Sequence, residues 1–250
     1  MVLTVRALAK NFGSFRAIRD LSFSVGPGEV VGLLGPRGSG KTTVLRLIAG
    51  ELDGSDGSIS VGGVSVARRD RRAFKNFSFV PADGPLPDAM TPYGYLSLRA
   101  SLRGLLDIRR EVVRALQRCD LLRLARRQPI GDLGGELRKR VAVAEALMGK
   151  PKLLLLDEAA ADLSPSTAKS LFLSIGAMEQ RPAVLVSGQT PWELEPLCQR
   201  FLLLGGGRLL GDGSIRSLGQ LFLKSPWPHA GRRPPSPLES IFLAAMDGNR

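Results

Sequence analysis

The 250-residue chain has no apolar run approaching the roughly 18 to 20 residues needed to cross a bilayer. Its opening stretch, MVLTVRALAKNFG, lacks the apolar segment of a secretory signal. Any role at a membrane is therefore expected to be played from the side. Cysteine is scarce: Cys119 and Cys198 stand in unrelated contexts without a C-x-x-C spacing. That indicates neither a disulfide framework nor a zinc site and fits a reducing cytosol. The one histidine, His229, lies in the Pro-rich stretch SPWPHAGRRPPSP. No internal repeat is visible.

What is present is ordinary for a globular protein. With 44% hydrophobic residues the chain can bury one sizeable core or two lobes. A formal charge of +12, carried mainly by arginine, leaves three readings open: affinity for nucleic acid, affinity for an anionic membrane surface, or a solvated basic face.

Short β-rich runs come first (LTVRAL, LSFSV, EVVGLLG, SISVGG), joined by Gly and Pro turns, and predict a mostly antiparallel layer feeding a buried strand. Residues 84–130 change to helical apolar spacing, with Leu98, Leu102, Leu105 and Leu106, then Val112, Val113 and Leu116, and Arg109, Arg110, Arg114 and Arg118 facing away. From residue 151 onward, KLLLLDE, AVLVSG and RFLLLGGG alternate with helices expected near 165–179 and 191–199. Continuous apolar strands separated by helices predict a parallel sheet covered on both faces. In the tail, LESIFLAAM places Leu238, Ile241, Phe242 and Ala245 on one helical face.

GPRGSGKTT, residues 35–43, matches G-x-x-x-x-G-K-S/T between the apolar VVGLL and the helical TTVLRLIAG. Glycines at 35, 38 and 40 let the loop curl so that its N–H groups, including those of Arg37 and Ser39 after Pro36, converge on phosphates at a helix N-terminus. Lys41 is expected to reach the β/γ-phosphates, and Thr42, followed by Thr43, to give its hydroxyl to Mg²⁺. LLLLDE carries Asp157 to a strand end, where it can hold the Mg²⁺ through water, and places Glu158 where an attacking water is polarised. Between these motifs, GDLGGELRKR sets paired glycines at the head of a basic helix, a way of presenting backbone N–H groups to an anion.

With those motifs in order, the whole chain resembles the nucleotide-binding domain of ATP-binding cassette (ABC) transporters. Leu133 through RKRVAVAEALMGKPKLLLLDE follows, without gaps, that family's run from signature motif to Walker B. LESIFLAAM looks like the closing motif of drug-efflux, ABC-2-like exporter subunits. The resemblance implies an α/β fold of the P-loop NTPase (RecA-like) type: a parallel sheet, an N-terminal antiparallel β layer and an inserted helical subdomain. It divides the chain into a nucleotide-binding domain, 1–215, with core lobe 1–82 and 148–215 and helical subdomain about 83–147, and a Pro-rich tail, 216–250, with a short amphipathic helix. It assigns ATP and Mg²⁺ as cofactors and Phe12 as the ring that stacks on adenine.

Several positions depart from the family pattern. Arg37 replaces the usual small polar residue or Asn. The Q-loop glutamine aligns with Ala82, which has no side-chain oxygen, and the switch histidine with Gln189, which can hydrogen-bond a γ-phosphate but is not an acid or base near neutral pH. The D-loop aspartate aligns with Ser164. The signature L-S-G-G-Q aligns with Leu133, Gly134, Gly135, Glu136 and Leu137, so that the turn meant to close over a partner's ATP lacks its hydroxyl and sets Glu136 against an anion.

The resemblance thus implies an ATP-binding subunit that binds Mg-ATP, hydrolyses it weakly with Glu158 and Gln189 as the catalytic pair, and sits at the inner face of the cell membrane. It docks there on separate permease subunits through a groove around 82–96. Its expected second partner is a different, more intact ABC ATP-binding subunit. A non-transporting ATP sensor is the alternative that Ala82 motivates. A soluble ABC protein acting on nucleic acid is motivated only by the charge, and the chain carries neither the second cassette nor the long coiled coil of such relatives.

Overall fold

The computed structural model describes residues 1–66, 73, 75–161, 163–223 and 236–248. Strands β1 (Leu3–Phe12) and β2 (Phe15–Val25) form a hairpin closed at Gly13. β3 (Val30–Leu34) follows and runs through the glycine loop into helix α1 (Lys41–Ile48). β4 (Asp56–Val61) and β5 (Val64–Ser65) return to the hairpin, giving the antiparallel order β2-β1-β4-β5.

β6 (Phe77–Val80) leads to three helices, α2 (Pro92–Leu102), α3 (Ile108–Arg118) and α4 (Gly135–Leu147). Then come β7 (Leu153–Leu156), α5 (Pro165–Gly176), β8 (Ala183–Gly188), the single turn α6 (Pro191–Leu194), β9 (Arg200–Gly205) and β10 (Arg208–Gly213). The helix expected over 191–199 stops at Leu194; Pro196 follows and has no N–H with which to continue the intrahelical hydrogen bonds. Helices α7 (Ile215–Phe222) and α8 (Pro237–Asp247) end the described chain.

The second sheet runs β10-β9-β3-β8-β7-β6, parallel except for β10 on β9. Its strands are the continuous apolar runs, and period-two alternation splits each between two cores. Leu153 and Leu155 join the core under the antiparallel sheet with Val31, Leu45 and Ile59. Leu154 and Leu156 point the other way, into the core shared with the helices.

Capping marks the helical region: Thr91 accepts from the Gly94 N–H ahead of Pro92, and Asp107 accepts from that of Arg110. Glu145 of α4 draws α2 in by accepting from the Tyr95 hydroxyl, from Arg99 Nε at 2.6 Å and from Arg103 Nη2 at 2.9 Å. The tail helix α8 buries Leu238, Ile241 and Ala245 in the same core as Leu218 of α7 and Leu194. Packing therefore continues past residue 215 into the tail. The Pro-rich stretch with His229 lies outside the described residues.

Candidate functional site

Five of the six strands of the large sheet run parallel, and the loops at one end of β3, β7 and β8 converge there on a cavity of about 530 Å³. The glycine loop forms its floor. Gly40, the N-cap of α1, has φ +105° and Gly38 has φ +80°, a region that side-chain-bearing residues rarely adopt. A Cβ on Gly40 would sit 2.6 Å from Ile18 Cδ1, and one on Gly35 2.4 Å from the Leu204 carbonyl, so neither position admits another residue without rearrangement. No side chain caps α1, which leaves its first-turn N–H groups for a ligand.

Lys41 is almost fully buried, with Nζ donating to the carbonyls of Gly35 at 2.8 Å and Pro36 at 3.0 Å. Burial holds its pKa below the ordinary lysine value; Glu158, Asp157 and Glu193 oppose that shift. Ser39 Oγ, buried behind the loop, has no hydrogen-bond partner among the described residues.

β7 delivers Asp157, which is fully buried. Its Oδ1 accepts from Ser187 Oγ at 2.6 Å, and that same hydroxyl accepts from the Glu158 N–H at 2.9 Å. Asp157 Oδ2 is buried and without a partner among the described residues. A buried, half-satisfied carboxylate beside Thr42 is what an oxygen-seeking divalent cation requires, so the donor set fits Mg²⁺, held by Thr42 and Asp157. A bound Mg²⁺ would neutralise phosphate charge. Glu158 adopts φ +49°, and Gln189 Nε2 donates to its Oε1 at 2.7 Å. The two side chains expected to share the chemistry are in contact, with the amide steadying the carboxylate.

At the cavity mouth stand Phe12 and Phe15, opposite each other across the hairpin and 47% and 65% exposed. Two solvent-facing rings beside a phosphate loop offer faces for a purine. The Lys10 ammonium lies 5.0 Å from the Phe12 centroid.

Of the expected residues, Phe12, Arg37, Gly38, Gly40, Lys41, Thr42, Thr43, Asp157, Glu158 and Gln189 line this one cavity, with Gly35, Pro36 and Ser39 completing the loop. Phe15, Arg46, Asp83 and Ser187 were not anticipated. Only Phe15 had a signal: its place opposite Phe12, two residues past a turn glycine.

The Gly134–Gly135 turn is exposed and does not line the cavity. Glu136, the residue expected to be set against a partner's ATP, also bonds within the chain. Its carboxylate accepts from Thr167 Oγ1 at 2.8 Å and from the Ser164 N–H at 3.2 Å, and these bonds hold its pKa below the ordinary glutamate value. The two departures at 136 and 164 therefore meet each other within the chain.

Comparison with known proteins agrees with this geometry. Residues 18–161, more than half the chain, match the family model described as ABC transporter. The chain is 32% identical over 232 residues to the phosphonates import ATP-binding protein PhnC of Rhizobium etli, covering 86% of this chain and 82% of that protein. It is 30% identical over 220 residues to the Nod factor export ATP-binding protein I of Rhizobium sp. strain N33, covering 87% and 72%. A solved ATP-binding subunit of an ABC transporter superposes with a TM-score of 0.79 at 25% identity, over 89% of this chain and 93% of that one.

Proposed function

The chain belongs to the ABC transporter ATP-binding family, and from that premise we propose that it is the ATP-binding subunit of an exporter complex whose own site hydrolyses ATP slowly. Binding of ATP and service to membrane components are the family's common ground. The slow turnover is the finer reading. It is carried by one observation: the group beside Glu158 is an amide, Gln189 Nε2 at 2.7 Å, where an acid or base would be needed to move a proton. Ala82, also in the wall, offers no side-chain oxygen. Loss of a positioned acid/base or orienting group costs about a hundred-fold to ten-thousand-fold in rate.

The cavity residues divide the remaining work. Lys41 and the amides of 38–43 take the phosphates, Thr42 and Asp157 the cation, Phe12 and Phe15 the base, while Glu158 orients water. A steady-state ATPase measurement on the isolated chain tests the reading: turnover on the order of ten per second, ordinary for an enzyme, would sink it.

Export is favoured by the likeness of LESIFLAAM to the closing motif of drug-efflux subunits; the similar proteins named above include both an importer subunit and an exporter subunit. Among the described residues no helix is long and apolar enough to cross a membrane, so the proposal requires separate permease subunits at the inner membrane face, docked near 82–96. A second, more intact cassette is proposed as partner, because a homodimer would repeat Gly134, Ser164 and Gln189 in both sites. Co-purification with a multispanning protein and a second cassette is the expected result; recovery of the chain alone from membranes would favour the ATP sensor.

A further inference from the structure

Several basic side chains of the helical region are already spent. Arg99 and Arg103 bind Glu145, Arg138 pairs with Asp88 at 2.6 Å, and Lys139 Nζ donates to the Ala82 carbonyl at 2.8 Å. Arg114 and Arg118, four residues apart on α3, and Lys150 after α4 make no hydrogen bond or ion pair among the described residues. All three line one hollow of about 130 Å³, where α3 meets the turn that follows α5. Like charges at that helical spacing repel, and an anion between them would relieve the repulsion.

Arg118 also lines a second hollow, of about 200 Å³, with Arg140 and with Ser166, Thr167 and Ser170 of α5. Neither hollow shares a residue with the nucleotide cavity. Arg140 is held in place: Nε donates to the Cys119 carbonyl at 2.7 Å, and Nη2 donates to the Asp120 carbonyl at 2.6 Å and pairs with Asp120 Oδ2 at 3.0 Å. Its Nη1 has only Glu136 Oε1, at 3.9 Å, beyond hydrogen-bond reach. The Ser170 hydroxyl makes no hydrogen bond among the described residues. A fixed guanidinium with donors to spare, an unpaired arginine and a free hydroxyl together form a seat for an oxyanion. The nearby acids do not fill it. Asp120 is on Arg140, Glu111 accepts from the Gly149 N–H at 3.1 Å, Glu136 is bonded to Thr167 and Ser164, and Glu179 is exposed on the rim of the smaller hollow.

Each hollow is smaller than the roughly 300–1,000 Å³ of a drug-sized site, so each suits one compact group. A phosphoryl group, with three acceptor oxygens, can use Arg118, Arg140 and a serine hydroxyl at once, where a carboxylate has only two. We infer that the groove between α3 and α5 binds a small anion with two linked phosphoryl groups, one in each hollow and both on Arg118.

Amide ¹H–¹⁵N spectra of the full, nucleotide-free chain, titrated with pyrophosphate at constant ionic strength, test this. Amides at 114–120 and 166–171 are expected to shift and saturate, with pyrophosphate bound about tenfold tighter than phosphate. Arg118→Gln, which removes a side chain without a partner, should weaken pyrophosphate about tenfold or more at those amides. Arg114→Gln touches the smaller hollow alone and should bring pyrophosphate down to the affinity of phosphate while leaving phosphate unchanged. Pyrophosphate also meets the glycine loop, and the response at 35–43 is expected to persist in both variants. Shifts reproduced by chloride, equal affinity for phosphate and pyrophosphate in the wild type, or undiminished binding by Arg118→Gln would overturn the inference.

Discussion

Ser187→Ala isolates the group on which the acidic side of the site depends. Ser187 is fully buried and its hydroxyl makes two bonds, donating to Asp157 Oδ1 at 2.6 Å and accepting from the Glu158 N–H at 2.9 Å. The first goes to a charged acceptor and is worth about 1.5–3 kcal/mol; the second leaves a part-buried donor without a partner, at about 1–3 kcal/mol. Because both pass through one atom they are not summed, and the expected loss is about 3 kcal/mol. Asp157 Oδ2 already has no partner among the described residues, so the variant leaves that carboxylate with neither oxygen satisfied. Urea unfolding should show a lower midpoint at unchanged slope, and thermal unfolding a drop of about 6–12 °C for a chain of this size. In an Asp157→Asn background, where no charge is stranded, the same change should cost only about 1 kcal/mol. A loss below about 1 kcal/mol in the wild-type background, or an equal loss in both, refutes the role given to Ser187.

Two further outcomes follow from the structure. Thr167 and the Ser164 N–H hold Glu136 below the usual glutamate pKa, so its contribution to stability is present above that usual value and fades as pH falls through the depressed one. Glu136→Gln should therefore be less stable than wild type at pH 7, with the gap closing below about pH 4; a gap constant across that range removes the assignment. Burial pushes the Cys119 thiol up to about 12 and raises that of Cys198 as well. Neither should react with a thiol reagent at pH 8 in the native chain, and both should react in denaturant; one fast native thiol would contradict the packing.

The parallel sheet was legible because strands buried on both faces are apolar almost throughout, as LLLL and the first four residues of AVLVSG are. The glycine loop was legible because its backbone conformation excludes other residues at Gly40 on two counts, φ and the nearness of Ile18. α6 is shorter than the helix expected over 191–199 because Pro196 has no N–H to continue it. The bonds of Glu136 to Thr167 and Ser164 were not legible for a different reason: position relative to a motif says where a backbone lies, not which neighbour a side chain can reach.

Local sequence alone determined the phosphate loop, the strand-end acids and the order of sheet and helices, since each depends on residue type at short range. Tertiary structure decided the rest: Phe15 beside Phe12, Ser187 under Asp157, Gln189 on Glu158, Glu136 on Thr167, Lys139 on Ala82. All but the first join residues 28 or more positions apart in a distance of 3.2 Å or less. Hydrogen bonding at that range is set by how strands and helices pack, and a one-dimensional pattern carries no record of it.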